Sequence, residues 1–161
     1  MSITLDHISE NFCPTVIRLV FESMMDTNIN SGSTHGLTLE EVKQILNRYK
    51  SVHRVLLNNE VIGVFNPGTV HPDLKKGWEL DKHKMYGRIG FVYIDKQHRG
   101  NGYGAEVIKQ HSDQFDNYAE CCAEDNVSSN KMLEKHLTFK KRIYIPIRRA
   151  YYNIYSKELG A

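Results

Sequence analysis

The sequence predicts an α/β fold: one domain over residues 1–161, built on a mixed sheet with helices on both faces. Three observations carry this. Strand-like and helix-like segments intermix along the whole chain in the order βααβββαβαββ. One near-continuous apolar run, residues 85–95 (MYGRIGFVYID), has the β-branched and aromatic content of a central strand. That strand leads directly into a glycine-rich turn, after which the apolar period changes from two to that of a helix.

Each element follows from local pattern. Ile3 and Leu5 alternate with polar neighbours as in a short edge strand. Across residues 13–25 the apolar positions Val16, Ile17, Val20, Phe21 and Met24 recur at three and four, a helical stripe. Residues 28–36 (NINSGSTHG) have loop composition. Thr38 and Glu41 then form a capping box ahead of Leu39, Val42, Ile45, Leu46 and Tyr49, the apolar face of a second helix. Strands at 53–58 and 61–65 flank Asn59-Glu60 at hairpin spacing. Pro67, Gly68 and Pro72 mark residues 66–77 as a second loop. After the central strand, Val107, Ile108, His111 and Phe115 give a third helix. Residues 118–123 read as a short strand, and Ser129, Met132, Leu133, His136 and Leu137 as a fourth helix. Residues 143–147 and 151–155 alternate as a closing antiparallel pair. The chain carries no internal repeat, low-complexity segment or linker.

Composition narrows the function. At 161 residues, with 40% hydrophobic and 25% charged side chains, the chain can bury a real core and is neither disordered nor fibrous. A net charge of +2 makes no demand for nucleic acid. The first twelve residues carry Asp6 and Glu10 and no apolar run, so no secretory signal is expected. The most apolar stretch, residues 16–21, is broken by Arg18 and is far shorter than the ~20 residues of a membrane span. Cys13, Cys121 and Cys122 are odd in number, and two are strand neighbours that point to opposite faces, which speaks against a disulfide framework. The eight histidines lack ligand spacing and no Cys-x-x-Cys pair occurs, so no metal site is expected. A cytoplasmic, reduced setting is the expectation.

The informative stretch is IDKQHRGNGYGA, residues 94–105. Glycines at a strand-to-helix turn let the backbone take positive φ and approach a ligand closely. The unpaired N–H groups of the first helical turn, with the helix dipole behind them, suit an anion such as a pyrophosphate. Lys96 and Arg99 add positive charge. The spacing is G-x-G-x-G rather than the dinucleotide G-x-G-x-x-G, and Ala105-Glu106 stands where a Walker loop has Lys-Ser/Thr.

Gln97-His98-Arg99-Gly100-Asn101-Gly102 resembles the Q/R-x-x-G-x-G/A signature of the GNAT superfamily of N-acetyltransferases. Residues 126–139 (NVSSNKMLEKHLTF) are similar to its second signature, commonly N-x-x-A-x-x-L-Y-E-K-L-G-F. The element order agrees over essentially the whole chain. The resemblance implies a mixed, mostly antiparallel sheet of about seven strands, splayed at the cofactor site and flanked by about four helices. It implies acetyl-CoA as cosubstrate and a primary amine, on a protein or a small molecule, as acceptor. By similarity, Val92 and Ile94 would hold the pantetheine arm through their backbone groups. The amides of Arg99, Gly100, Asn101, Gly102, Tyr103 and Gly104 would cradle the pyrophosphate. Asn126, and less directly Asn130, would stand near the pantetheine or the thioester.

The catalytic positions depart from the pattern. The tyrosine that often protonates the leaving thiolate falls at Leu133, and a glutamate often used as base falls at Arg88. A lysine-like amine, pKa about 10.4, must lose a proton before it attacks. Glu120 on the splayed strand is the best-placed base, directly or through a water, with a solvated strand carboxylate as the plain alternative. Arg88 is a candidate for an acidic group on the acceptor. Residues 131–150 hold seven Lys and Arg against one Glu, a positive stretch with several partners open to it. The residues thus support an N-acetyltransferase, with a catalytically weak GNAT-like binding module acting through a protein partner as the competing reading. Acceptor identity and oligomeric state are left open.

Overall fold

A computed structural model describes residues 2–7, 14–30, 40 and 52–160. Its elements are β1 (Thr4–His7), α1 (Pro14–Asn30), β2 (His53–Leu57), β3 (Glu60–Thr69), α2 (Pro72–Gly77), β4 (Gly87–Ile94), α3 (Tyr103–Ser112), β5 (Tyr118–Ala123), α4 (Val127–Glu134), β6 (Thr138–Ile145) and β7 (Ala150–Lys157). The seven strands form one mixed sheet in the order β1-β2-β3-β4-β5-β7-β6; β1–β2, β2–β3, β5–β7 and β6–β7 pair antiparallel, and β4–β5 parallel. The chain divides into two compact units, Met1–Pro67 with Gly90–Tyr103, and Gly68–Ile89 with Gly104–Ala161.

In the first unit, α1 begins at Pro14, whose fixed φ and missing N–H suit a helix start. Its stripe Val16, Leu19 and Val20 packs with Val52, Val64 and Tyr93, all nearly inaccessible. The helix runs on to Asn30, so residues 28–30, expected in a loop, are helical. Neither Gly nor Pro interrupts the chain there. The rest of that loop, and the capping-box helix apart from Glu40, lie outside the described residues. The β2–β3 hairpin turns one residue earlier than expected, on Asn58-Asn59, with Leu57 opposite Glu60. Both asparagines have positive φ, 50° and 63°. Asn tolerates that region far better than Glu, so Glu60 joins the strand.

In the second unit, Val70, Trp78, Leu80, Tyr86, Ala119 and Ile154 form the core. Here Pro and Gly misdirect the sequence reading. The strand passes through Pro67 and Gly68, and Pro72 opens the short helix α2, whose N-cap His71 accepts from the Asp73 N–H. β5 is buried on both faces. Ala119 and Cys121 meet the Trp78 cluster, while Tyr118 meets His111 of α3, its Nδ1 2.9 Å from the tyrosine hydroxyl. β7 pairs with β5 along its whole length and with β6 on its other side, which leaves β6 at the edge of the sheet.

Candidate active site

The end of β4 and the turn after it form a braced segment within the first unit. Asp95 donates its N–H to the Ile62 carbonyl at 2.7 Å and receives Arg18 of α1 on its carboxylate at 2.9 Å. The Arg18 hydrogen bond, the largest influence, holds the Asp95 carboxyl below the usual range. Arg99 folds back over β4: its Nε donates to the Ile94 carbonyl at 3.0 Å, and its guanidinium carbon lies 4.8 Å from the centroid of the Tyr93 ring. Asn101 donates its side-chain amide to the His98 carbonyl at 3.1 Å. The turn is therefore tied down by side chains directed away from its own N–H groups.

Gly100 and Gly102 have φ of +83° and +78°, with Asn101 between them. Alternation of this kind turns successive amides toward one side, a concave anion-binding arrangement. The helix then starts at Tyr103, so the N–H groups of Tyr103, Gly104 and Ala105 have no partner within it. Val92, half-buried, and Ile94, buried, precede the turn on β4.

In the second unit the parallel pairing of β4 with β5 consists of one position, Gly87 opposite Tyr118. Glu120 is buried, and its Oε1 accepts the N–H of Ile89. At Ile89 a side-chain oxygen thus stands where the ladder would place a strand carbonyl.

Burial pushes the Glu120 carboxyl up to about 8, against the pull of the Ile89 N–H, the Arg88 charge and the Tyr118 hydrogen bond. Burial likewise raises the Tyr118 hydroxyl and lowers His111 to about 4. His111, Tyr118 and Glu120 thus line up as a buried polar series with the carboxyl at its end. The thiols of Cys121 and Cys122 are free and are pushed up to about 11 and about 12 by burial.

Asn126 and Asn130 carry structural duties. Asn126 caps α4 by accepting from the Ser129 N–H at 3.2 Å. Asn130 donates to the carbonyls of Asn126 and Ala123 at 2.8 and 3.0 Å, and accepts from Tyr155 and Asn153 at 2.6 and 2.9 Å. This hub joins β5, α4 and β7. Leu133 is buried, so no proton donor stands at that position. Sequence reasoning did not identify Tyr118 and His111. Their spacing from Glu120 carries no motif, and their alignment appears only once α3 lies against β5. Among the described residues no group of three metal-ligating side chains comes together, and no helix is long and apolar enough to cross a membrane.

Comparison with known proteins bears on this arrangement. Residues 18–139 match the acetyltransferase (GNAT) family. The fold is similar to that of RimL, a ribosomal L7/L12 alpha-N-protein acetyltransferase solved in complex with coenzyme A. The two share 16% identity and a TM-score of 0.67 over 98% of this chain and 94% of that one. A GNAT acetyltransferase from Streptococcus agalactiae is similar at 16% identity and TM-score 0.66, covering 99% and 96%. A ribosomal-protein-alanine N-acetyltransferase from Brucella melitensis is similar at 15% identity and TM-score 0.64, covering 97% and 99%. No curated protein sequence matches the chain. Sheet order, the interrupted β4–β5 ladder, the glycine turn and a family match over most of the sequence agree: the chain belongs to the GNAT family of acetyltransferases.

Proposed function

We propose that residues 1–161 act as a single acetyltransferase domain that transfers an acetyl group from acetyl-CoA to a primary amine. The carrying observation is the braced turn, with Gly100 and Gly102 at positive φ ahead of the α3 N-terminus. The coenzyme A bound to RimL supports the same cosubstrate here. In this reading Gly100, Asn101, Gly102, Tyr103 and Gly104 hold the pyrophosphate through their amides, while the Arg99 N–H, expected among them, donates to the Lys96 carbonyl at 3.4 Å and braces the turn instead. Val92 and Ile94 hold the pantetheine arm, and Asn126 stands near the thioester. Asn130 is a positioning residue, since its amide is spent on the protein. The cytoplasm is the proposed location.

Acetyl-CoA supplies an activated acyl carbon. The amine nitrogen bonds to that carbon, the carbon–sulfur bond breaks, and the amine's proton passes to Glu120, directly or through a water. A carboxyl raised to about 8 accepts a proton only in its ionised form, so this route predicts a rate that rises as the pH approaches and passes about 8. Leucine at position 133 leaves the departing thiolate to take its proton from water. That same leucine favours the second reading, a catalytically weak module acting through a protein partner.

Titration calorimetry with acetyl-CoA tests the proposal. Wild type is expected to bind in the micromolar range. Gly102→Glu, which puts a side chain at positive φ and a negative charge in the turn, is expected to weaken binding at least about 100-fold, roughly 2.7 kcal/mol. Absence of binding by wild type would overturn the enzyme reading. Binding without transfer to any amine would favour the module.

A further inference from the structure

Arg88 differs from the other arginines of its surroundings. Arg142 is paired with Glu124 at 2.8 Å, and Arg148 reaches the Tyr152 hydroxyl at 3.4 Å. The Arg88 guanidinium lies 5.2 Å from the Trp78 ring centroid, and its buried Nε has no hydrogen-bond partner. It forms no ion pair among the described residues. A half-buried guanidinium has lost part of its hydration; the Trp78 ring offsets some of that loss, and an anion on the guanidinium would offset more.

A second positive charge acts on the same place. Both Arg88 and Arg148 bear on the Cys121 thiol, which is partly exposed on β5. The charged and titratable groups near Arg88 are Glu120, Tyr118 and Cys121. Glu120 is already engaged by the Ile89 N–H. Two carboxylates elsewhere in this unit are taken, Glu79 by Lys141 and Glu124 by Arg142. The Arg88 charge thus acts on Glu120 without an ion pair to it, and its Nε keeps an unmade hydrogen bond.

We infer that Arg88, backed by Arg148, receives a carboxylate of the acceptor, so that the substrate is a primary amine carrying an acidic group close to the amine. The guanidinium fork matches a carboxylate in two parallel hydrogen bonds, which a neutral amide cannot reproduce. This inference rests on the acetyl-transfer reading for the word acceptor, and on Arg88 alone for the acidic group. The acid is either the free carboxyl of an amino acid or an acidic side chain next to a peptide's N-terminus.

Trp78 is the sole tryptophan of the chain, so its emission reports binding without any turnover. The protein, saturated with coenzyme A, is titrated with alanine and alaninamide, which differ only in the free carboxyl, and with Ala-Glu-Ala-amide and Ala-Gln-Ala-amide, which differ only in the acidic side chain. The acidic member of at least one pair is expected to bind about 30-fold or more tightly than its amide. The pair that discriminates identifies the source of the acid. Arg88→Gln should erase the preference, Arg88→Lys should keep part of it, and Arg148→Gln should reduce it severalfold. Equal binding of acid and amide by wild type in both pairs would overturn the inference. So would a preference that survives Arg88→Gln. Discrimination without acetyl transfer would leave the acidic site standing and remove the enzyme reading; transfer without discrimination would do the reverse.

Discussion

The turn after β4 and the gap beside β5 use backbone N–H groups in opposite ways. At Gly100 and Gly102 the backbone is bent to positive φ, and the helix start leaves amides with no partner in the helix. At Ile89 an amide the ladder would have satisfied is taken by the Glu120 carboxylate. One region keeps donors for a ligand, and the other gives a strand donor to a side chain. A glycine turn can leave donors open to a ligand, whereas a buried carboxylate can be structural and chemical at once.

The largest expected effect falls on the first side. Gly102→Glu weakens cofactor binding at least about 100-fold and, by forcing a side chain to φ +78°, also lowers stability by about 1–2 kcal/mol, with the turn otherwise held by Asp95, Arg99 and Asn101. On the second side, Asn130→Ala strips partners from Tyr155, Asn153 and the Ala123 carbonyl together. A loss of about 3 kcal/mol in urea unfolding is expected. Glu120→Ala orphans the Ile89 N–H and costs about 2 kcal/mol, whereas Glu120→Gln keeps an acceptor there and costs under about 1 kcal/mol.

The Glu120→Gln variant also sharpens the comparison through pH. Between about pH 6.5 and 8 the unfolded carboxyl is ionised while the folded one, raised to about 8, still holds its proton. The folded state binds more protons in that window, so Tm falls as pH rises and levels off above it. Below about 6.5, His111, lowered to about 4, acts in the opposite sense, because the unfolded imidazole takes up a proton the folded one refuses. Calorimetric scans should show the fall from pH 6.5 to 8 in wild type and a flat line in Glu120→Gln. Smallest of all is Gly104→Ala. A Cβ there comes 2.7 Å from the Met132 sulfur, a flexible neighbour. Some Met132 adjustment set against better helix propensity leaves a change under about 1 kcal/mol, with cofactor affinity kept within about threefold.

What the sequence made readable follows the range of the forces involved. Period and composition are local, so the central strand, the stripe on α1 and the strand at Tyr118–Ala123 could all be read in place. The turn was legible because glycine has few other reasons to cluster between strand and helix. Pro67, Gly68 and Pro72 were misleading because each is compatible with a strand or a helix start as well as with a loop. Glu120 could be picked out as a candidate, but its bond to Ile89 depends on a register between strands 31 residues apart. Asn130 was legible as a motif position, and its hub role was not, since two of its partners come from β7. The isolation of Arg88 is a property of its surroundings, which no single-residue pattern carries.

The position of β6 at the sheet edge has a consequence for how copies of the chain behave in a crowded solution. An open strand edge is a template on which further strands can add, the first step toward fibres. Lys140, Lys141 and Arg142 stand in a row on that edge, beside the exposed rings of Phe139 and Tyr144. Each of the three basic residues is held in an ion pair, with Glu158, Glu79 and Glu124 respectively, so a second β6 laid against the first would have to crowd these charged pairs before its aromatic rings could stack. These charged pairs blunt the edge against self-association, and removing them would leave it more open to a further strand.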